Sequence, residues 1–532
     1  MKQKLLKKRN ILSAVALLFL LSSCIDGYKD DYTWVSSVRD AQLESPDAST
    51  ITCGFSADGT SQIVRWPVVP GAGGYLVSIF NIDDPENHFP IVENQIVDGL
   101  SITCESTEDC RFKVVIKTLG NAKFNNKEAL TATEKEYTNL LPVTAVIPNG
   151  MDITQFFTAV SIKELEARIR VLLEERAAHI ADSLGIELEP VGDIELCFEL
   201  EAGGTYTMNG SIFQEAVSVT IRGDKVNPPT LSVQAGSFVN GGAGLKLKFI
   251  DFDYSNFGGA ANSGLITMHN PFNPGGLPLT TGGQSIDFLV ISENKPIAIQ
   301  SCNFKEMKTP VFSHPSTSMK YAIGNFLVKD CVIGFNSDAF SLPLFYSNGG
   351  NNSTTTIKDL TIINSTIYNE QKTSSSSNYL IQIHGEAAAR ISPLTEIWAG
   401  GTINLINCTF YQWGYGSQSF NNNGRGWKQS TDKIITNKCV IVNSFGHNKS
   451  ATIVGGDGFG RRLRACPNVS FSSNSYWYDG EFASGQVASN GDNTNTQIDT
   501  DPELTYLGNG EFSMTGAAQI AVRAGDPRWL PE

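Results

Sequence analysis

One short phrase returns between Ile297 and Tyr478 and limits the possible folds more than any other feature. Each copy has a polar residue, then Cys or Ser, then any residue, then an apolar residue. A period of two is typical of a β-strand, so the Cys or Ser and the apolar residue share one face. Stacked copies would build a solenoid of parallel strands. The copies are Ser301-Cys302-Asn303-Phe304, Asp330-Cys331-Val332-Ile333, Asn364-Ser365-Thr366-Ile367, Asn407-Cys408-Thr409-Phe410, Lys438-Cys439-Val440-Ile441 and Asn474-Ser475-Tyr476-Trp477.

The repeat also explains four of the ten cysteines. A small apolar side chain suits the repeated inward position, so Cys302, Cys331, Cys408 and Cys439 are interpreted as unpaired core thiols. The alternative is that neighbouring coils bring two of them within bonding distance. Nearer the N-terminus, Cys104 and Cys110 are close enough in sequence to bridge a hairpin in an oxidising compartment. The sequence contains no Cys-x-x-Cys pair or Cys/His cluster that would indicate a metal site.

Stretches before and after the repeat resemble a known protein family. Ile194 to Phe198, Gly203 to Tyr206 and Val217 to Gly223 read as an opening coil, and Gly510 to Trp529 reads as a closing segment. These stretches resemble the pectate-lyase-like superfamily, and in particular β-helix lipoproteins of Bacteroidota of unknown function. The resemblance implies an all-β chain with a right-handed parallel β-helix over 190–485 and an end segment over 486–532.

Two elements are expected before the β-helix. The strands and turn from Val64-Arg65-Trp66 to Tyr75-Leu76-Val77 resemble a fibronectin type III domain, which implies a small β-sandwich over 45–145 acting as a spacer. Within 146–189, Ser161 and Glu164 fit a capping box, and apolar residues at helical spacing run to Leu184. We expect this helix to cover the open end of the β-helix, or else to brace the two domains.

The first residues indicate secretion and attachment to a membrane. A basic start precedes an apolar run from Ile11 to Leu21 that is too short to span a bilayer. The run ends at Leu21-Ser22-Ser23-Cys24, which resembles a bacterial lipobox. This pattern predicts a signal peptide over 1–23, lipidation of Cys24 and a tether over 24–44. Asp26 to Asp31 resembles the signal that sends such lipoproteins to the outer face of the outer membrane.

The charge and the residue composition exclude some partners. The 532 residues carry a formal net charge of −14, and the chain has no basic face on which phosphates would bind. Nucleic acid is therefore excluded as a partner. The 49 glycines and the low charged content of 18% suit a turn-rich extracellular β protein.

Basic and aromatic residues concentrate late in the repeat, in loops after two successive copies of the phrase. Arginines there would pair with the carboxylates of an acidic polysaccharide, and aromatic rings would stack on sugars. The opposing interpretation is that the arginines pair with surface acids and the aromatics cover the coil. The candidate binding residues are Tyr411, Trp413, Arg425, Trp427, Lys428 and Arg464, and the candidate catalytic bases are Arg461 and Arg462.

The resemblance to the pectate-lyase-like superfamily implies chemistry on acidic sugars. Its lyases use an Arg or Lys base, often with Ca2+, and its hydrolases use two or three carboxylates. The sequence has neither the Asn-Thr-Asp and Gly-His-Gly series of polygalacturonases nor the Arg-x-Pro-x-x-Arg of pectate lyases. Asp251 and Asp253 flank Phe252 on one predicted strand and are candidate Ca2+ ligands.

Three functions therefore remain open. The first is a lipid-anchored surface protein that binds a pectin-like polysaccharide and has an outer-membrane glycan transporter as its partner. The second is a polysaccharide lyase, or a glycoside hydrolase, acting on uronic acids on the same scaffold. The third is an adhesin or structural surface protein without a sugar site.

Overall fold

A computed structural model gives the structure of the chain, which divides into two compact units, Met1–Leu141 and Pro142–Glu532. The division falls slightly before the sandwich boundary expected at residue 145. The structure describes residues 38–56, 61–184, 187–188, 190–214, 217–260, 263–268, 279–281, 284–286, 288–291, 294–314, 320–337, 342, 344–347, 355–371, 379–382, 400–414, 430–445, 466–478, 492 and 494–531.

The first unit is an antiparallel β-sandwich of a three-stranded and a four-stranded sheet. The smaller sheet has the order β1-β2-β5 and the larger one β4-β3-β6-β7. Two short 3-10 helices, Ala48–Thr50 and Ala122–Phe124, belong to the same unit. The strands are β1 (Thr52–Phe55), β2 (Ser61–Arg65), β3 (Tyr75–Asn81), β4 (Phe89–Val97), β5 (Ser101–Glu105), β6 (Arg111–Thr118) and β7 (Thr133–Thr138).

Alternating side chains fill the space between the two sheets. Trp66 is buried, and its ring meets that of Tyr75 edge-on at 5.4 Å. Cys104 and Cys110 do not form the suggested disulfide, and the Cys110 thiol donates to the Glu108 carbonyl at 3.2 Å. Cys104 lies on β5 in the smaller sheet, whereas Cys110 directly precedes β6 in the larger sheet.

The second unit is a parallel β-helix, as the repeat predicted. Successive strands of a coil join different sheets, and neighbouring strands within each of these sheets run parallel. Sheet 1 contains β8 (Ala145–Ile147), β9 (Glu195–Leu200), β12 (Ser218–Arg222), β15 (Leu245–Lys248), β20 (Phe288–Ile291), β21 (Ile297–Gln300), β24 (Lys320–Lys329), β27 (Thr355–Ile363), β30 (Thr402–Ile406), β32 (Lys433–Asn437) and β34 (Asn468–Ser472).

In the described part of the chain, a strand of sheet 2 follows a strand of sheet 1 in each coil from β9 onwards, and a strand of sheet 3 follows in the first six of these coils. Sheet 2 contains β10 (Thr205–Asn209), β13 (Thr230–Ala235), β16 (Asp251–Asp253), β22 (Asn303–Lys305), β25 (Val332–Phe335), β28 (Thr366–Asn369), β31 (Thr409–Tyr411), β33 (Val440–Val442) and β35 (Ser475–Trp477). Sheet 3 contains β11 (Ile212–Phe213), β14 (Phe238–Asn240), β17 (Ile266–Met268), β23 (Phe312–His314), β26 (Phe345–Ser347) and β29 (Ile381–Gln382). A separate antiparallel pair joins β18 (Leu279–Thr281) to β19 (Gln284–Ile286).

The four repeated cysteines lie in one interior row, directly before the strands of sheet 2. All four side chains are fully buried and all four thiols are free. Each thiol donates to a carbonyl of the preceding coil, as Cys302 does to Leu247 at 3.5 Å. The predicted alignment of the sixth copy of the phrase is wrong by one residue. Ser475 pairs with Val440, so Asn474, and not Ser475, lies next to Cys439 in the interior row.

A residue with positive φ precedes this row in successive coils. It turns the chain from sheet 1 into sheet 2, and its φ lies between 49° and 57°. Asn and Asp tolerate this conformation better than most residues. Asn407 donates to Asn364 at 3.3 Å, and Asn364 donates to Asp330 at 3.1 Å. The turn residues are Phe249, Ser301, Asp330, Asn364, Asn407, Lys438 and Ser473.

Two helices precede the first coil, α1 (Ile153–Ala159) and α2 (Ile162–Leu184). The predicted cap of α2 is present, since the Glu164 amide donates to the Ser161 hydroxyl at 3.2 Å. The ring of Phe157 on α1 packs 4.9 Å from that of Phe198 in the first coil. Only the first turns of α2 pack on this core, and Leu172 further along is 65% exposed. No helix in the described part of the chain is long and apolar enough to cross a membrane.

The last residues return along the outer face of sheet 2. They form the hairpin of β36 (Leu504–Gly508) and β37 (Glu511–Met514), then α3 (Ala517–Val522) and a 3-10 helix, Pro527–Trp529. We call residues 504–530 the C-terminal cover. Its apolar side chains pack on outward residues of β25, β28 and β33 in a second core outside the β-helix.

Candidate functional site

A cleft of about 630 Å³ lies on the outer face of sheet 2, directly before the C-terminal cover. Its floor is formed by outward side chains of β13, β16 and β22, and its far end by the turn of the β36–β37 hairpin. We call it the sheet 2 cleft. The sheet register fixes the floor, because residues in parallel partner positions stack directly on one another.

Two rows of polar side chains cross the floor. In the first row, Thr230, Asp251 and Asn303 are successive partners in register. In the second row, Ser232 is followed by Asp253 and then Lys305. Outward positions change character beyond β22, since Val332 follows Asn303 on β25, and Tyr368 on β28 lies beside Gly334 of β25. The cleft lies where the polar half of this face meets the apolar half.

The two aspartates of β16 share a face but differ electrostatically. Burial raises the pKa of Asp251, and the amide of Asn303, which donates at 2.7 Å, opposes the rise only in part. Burial also acts to raise the pKa of Asp253, but its surroundings outweigh it. The amide and hydroxyl of Ser255 donate at 2.9 and 2.5 Å, and Lys305 is a nearby positive charge, so the pKa of Asp253 is lowered.

Tyr368 forms part of the cleft lining beside two glutamates. Burial raises its pKa, and Tyr506, Glu370 and Glu306 raise it further, so the phenol is neutral at physiological pH. The hydroxyl of Tyr506 donates to Glu370. Tyr368 lies over Gly334, its partner on β25, where an added Cβ would be 2.3 Å from the tyrosine hydroxyl. The glycine therefore makes room for the ring.

The turn at Asn509 and Gly510 closes one end of the cleft. Both residues have positive φ, 52° and 84°, as a tight two-residue hairpin turn requires. A Cβ added to Gly510 would lie 3.1 Å from Val332 and 3.3 Å from the Tyr368 hydroxyl, so the turn rests directly on sheet 2. Glu511, the next residue, also lines the cleft.

The described residues offer no complete metal site. Among them, no group of three or more His, Cys, Asp and Glu side chains comes together as a metal ion would require. Asp251 and Asp253 are only two carboxylates, and each already accepts hydrogen bonds, from Asn303 and Ser255 respectively. The proposed pair of Ca2+ ligands thus lacks a third carboxylate in the part of the chain that is described.

The other predicted binding residues either lie away from the cleft or fall outside the described residues. Trp413 is fully buried with its ring 4.7 Å from that of Phe335, so the prediction that it stacks on sugar is wrong. Gln412 has a positive φ of 54° and reverses the alternation, which turns Trp413 inward. Tyr411 is half-buried beside Tyr506 and Phe512, at 6.3 and 5.4 Å, and does not line the cleft. Cys24, Arg425, Trp427, Lys428, Arg461, Arg462 and Arg464 lie outside the described residues.

Sequence reasoning missed most of the cleft. Asn303 and Lys305 could have been found, because aligning the cysteine row places them beside Asp251 and Asp253. Glu306 has a positive φ directly after β22 and gave no such signal. Nothing in the local sequence places Glu511 near the floor.

The chain matches three family models, each described only as a domain of unknown function. Residues 1–181 match DUF4992, residues 204–370 match DUF4957, and residues 403–529 match DUF5123. No curated protein matches the chain. The second and third matched regions meet at the sheet 2 cleft. The floor comes from 204–370, and the closing turn comes from 403–529.

The cleft is equipped to bind a ligand rich in hydroxyl groups. Carboxylates accept hydrogen bonds, the Asn303 and Asn509 amides donate and accept them, and the Lys305 ammonium donates them. Among the described residues, five carboxylates and one ammonium group line the cleft, and together they give it a negative charge at neutral pH. The acidic residues are Asp251, Asp253, Glu306, Glu370 and Glu511.

Proposed function

We propose that this chain is a lipid-anchored surface protein that binds polysaccharide in the sheet 2 cleft. The observation that supports this proposal best is the open, polar floor of the cleft, where two rows of polar side chains lie on a rigid stack of strands. Sites on regular strands hold their side chains in place before a ligand arrives, which lowers the entropic cost of binding. A sugar chain presents hydroxyls at regular intervals, and the stacked coils present polar side chains at regular intervals.

Anchoring and display complete the proposal. Cys24 would carry the lipid, and the membrane would be the outer membrane, with the protein facing outward and delivering glycan to a transporter. The sandwich would be a spacer, and its three-plus-four strand order supports the resemblance to a fibronectin type III domain. The parallel coils likewise support the resemblance to the pectate-lyase-like superfamily. A preference for pectin-like polymers would rest on Arg425, Arg461, Arg462 and Arg464, which lie outside the described residues, because the acidic lining of the sheet 2 cleft would itself repel uronates.

The binding proposal predicts retention in a polysaccharide gel. The chain from Asp26 onward keeps every described residue and should migrate more slowly in gels containing a bound polymer. Neutral, uronate and amino-sugar polymers should be compared. Asn303→Ala removes an amide from the floor and should weaken binding about five- to tenfold, the worth of one hydrogen bond.

Asn325→Ala is the matched control, because Asn325 lies on β24 in sheet 1 and does not line the cleft. It should leave retention unchanged. Normal mobility in every polymer would contradict the proposal and favour an adhesin or structural role. Equal losses in both variants would place binding elsewhere.

A second candidate function is glycoside hydrolysis at the same cleft. The supporting observation is the pair of aspartates on β16 whose pKa values are displaced in opposite directions. Such a pair can divide the roles of general acid and of base or nucleophile. Lys305 is the one cationic side chain of the described lining, so a lyase at this cleft would use Lys305 and not an arginine as its base. Either enzyme would act on the bound polysaccharide.

Hydrolysis would depend on pH in a defined way. Asp251 must be protonated to act as the acid, and its raised pKa keeps the proton to higher pH than an ordinary carboxyl. Asp253 must be ionised, and its lowered pKa keeps it so to lower pH. We expect new reducing ends over a bell-shaped pH range, and loss of at least ~100-fold in rate for Asp251→Asn. Unsaturated products with ultraviolet absorbance would instead identify a lyase.

A further inference from the structure

The sheet 2 cleft is bounded differently at its two ends. Towards the first coils the polar floor continues, since Thr205 is exposed and Thr207, Thr230 and Ser232 are partly exposed. These residues are in parallel register with the cleft floor. A chain-like ligand lying along the β-helix axis would therefore have a surface to follow in that direction.

In the other direction the floor ends at a wall. The turn at Asn509 and Gly510 rests on Val332 and Tyr368, and the rings of Tyr506 and Phe512 lie 5.3 and 5.4 Å from that of Tyr368. Beyond the hairpin, the C-terminal cover packs over the outward residues of β28, β31 and β33. A ligand cannot pass the wall along this face without displacing it.

The wall is fixed by buried contacts further along the C-terminal cover. The Gly525 amide donates to the Lys438 carbonyl at 2.7 Å, and the Asp526 amide donates to the Thr409 hydroxyl at 2.9 Å. Asp526 is fully buried and accepts a hydrogen bond from Thr366 at 2.7 Å. Opening the wall would leave these groups without their partners, so it is a permanent boundary.

We infer that the sheet 2 cleft binds the end of a glycan chain and not its interior. This rests on the proposed function, because it concerns how a polysaccharide lies in the same cleft. A terminal sugar carries a hydroxyl that is consumed by a linkage in every interior sugar. Asn509, Glu511 and Glu370 offer an amide and carboxylates at the closed end, where that hydroxyl would lie.

A comparison of chain lengths tests the inference. The polymer retained in the gel assay is partly hydrolysed and separated into a short fraction and one about tenfold longer, and binding of the chain from Asp26 onward is measured by calorimetry. Recognition of ends predicts equal affinity per mole of polymer chain, and so about tenfold weaker affinity per unit mass for the long fraction. Equal affinity per unit mass, with many proteins bound per polymer chain, would overturn the inference while leaving the proposed function standing.

Variants of the wall give a second measurement. Asn509→Gly removes the side-chain amide but keeps the turn, because glycine adopts the same positive φ. Glu511→Gln removes only the negative charge. Each should weaken binding of the short fraction about three- to tenfold. Thr505→Ala is the control, since Thr505 is exposed on the same hairpin but does not line the cleft. Unchanged affinity in both wall variants would overturn the inference, and no binding to any polymer would overturn the proposed function with it.

Discussion

Replacing Trp529 with Ala is expected to lower the free energy of unfolding of the β-helix unit by about 3–5 kcal/mol, as truncation of a buried aromatic residue does. Trp529 is 7% exposed, and its ring lies 5.6 Å from that of Phe512. Its indole N–H donates to the Thr366 hydroxyl at 2.6 Å. The change therefore removes apolar contact and a buried hydrogen bond together. Urea unfolding followed by far-ultraviolet circular dichroism measures the loss.

Leu507→Ala is the matched control for this experiment. Leu507 belongs to the same C-terminal cover but is 63% exposed, so its truncation should change stability by no more than ~0.5 kcal/mol. A loss below ~1 kcal/mol for Trp529→Ala would show that the cover does not unfold together with the coils. The wall of the cleft would then be less permanent than the buried contacts indicate.

Gly236→Ala is expected to destabilise the β-helix unit by about 3 kcal/mol or more. Gly236 has a φ of 87°, which costs an L-residue roughly 1–2 kcal/mol. A Cβ there would lie 2.1 Å from the carbonyl carbon of Gly210 and 2.5 Å from the Ser211 nitrogen. These are backbone atoms of the turn one coil below, so they cannot move aside without separating the coils. Overpacking of this kind adds about 1–3 kcal/mol.

Gly258→Ala provides the comparison, because no heavy atom lies within 4 Å of the added Cβ. Both substitutions restrict the unfolded chain in the same way, so the difference between them reports the folded state alone. Gly258→Ala should be neutral or slightly stabilising. Similar denaturation midpoints for the two variants would contradict the stacking of the turns at Gly210 and Gly236.

Local sequence was sufficient to predict the coils of the β-helix. Each copy of the phrase combines a turn residue, a buried small residue and a period-two strand, and these three features lie within four residues of one another. Cys302, Cys331, Cys408 and Cys439 accordingly lie in one interior row. The last copy was shifted by one because Asn474 and Ser475 are both small and polar. Only the pairing of Ser475 with Val440 distinguishes them.

The cleft could be predicted only in part, since its two sides come from distant parts of the chain. Tyr506 and Glu370 form a hydrogen bond across a sequence separation of 136 residues. No periodic pattern in the sequence indicates that two residues so far apart in the chain come into contact. The prediction that Trp413 contacts sugar failed because one positive φ at Gln412 reverses the side-chain alternation. Trp413 thus enters the core, although the pattern on β31 would have placed it outside.

The hairpin turn at Asn509 and Gly510 has an evolutionary implication. It lies outside the hydrogen-bonded stack of coils, so residues inserted there would alter the reach of the wall without disturbing the register of any strand. Lengthening or shortening this turn would reset how many sugar units fit before the wall. Proteins descended from a common ancestor could in this way acquire new ligand preferences while their scaffold stayed constant.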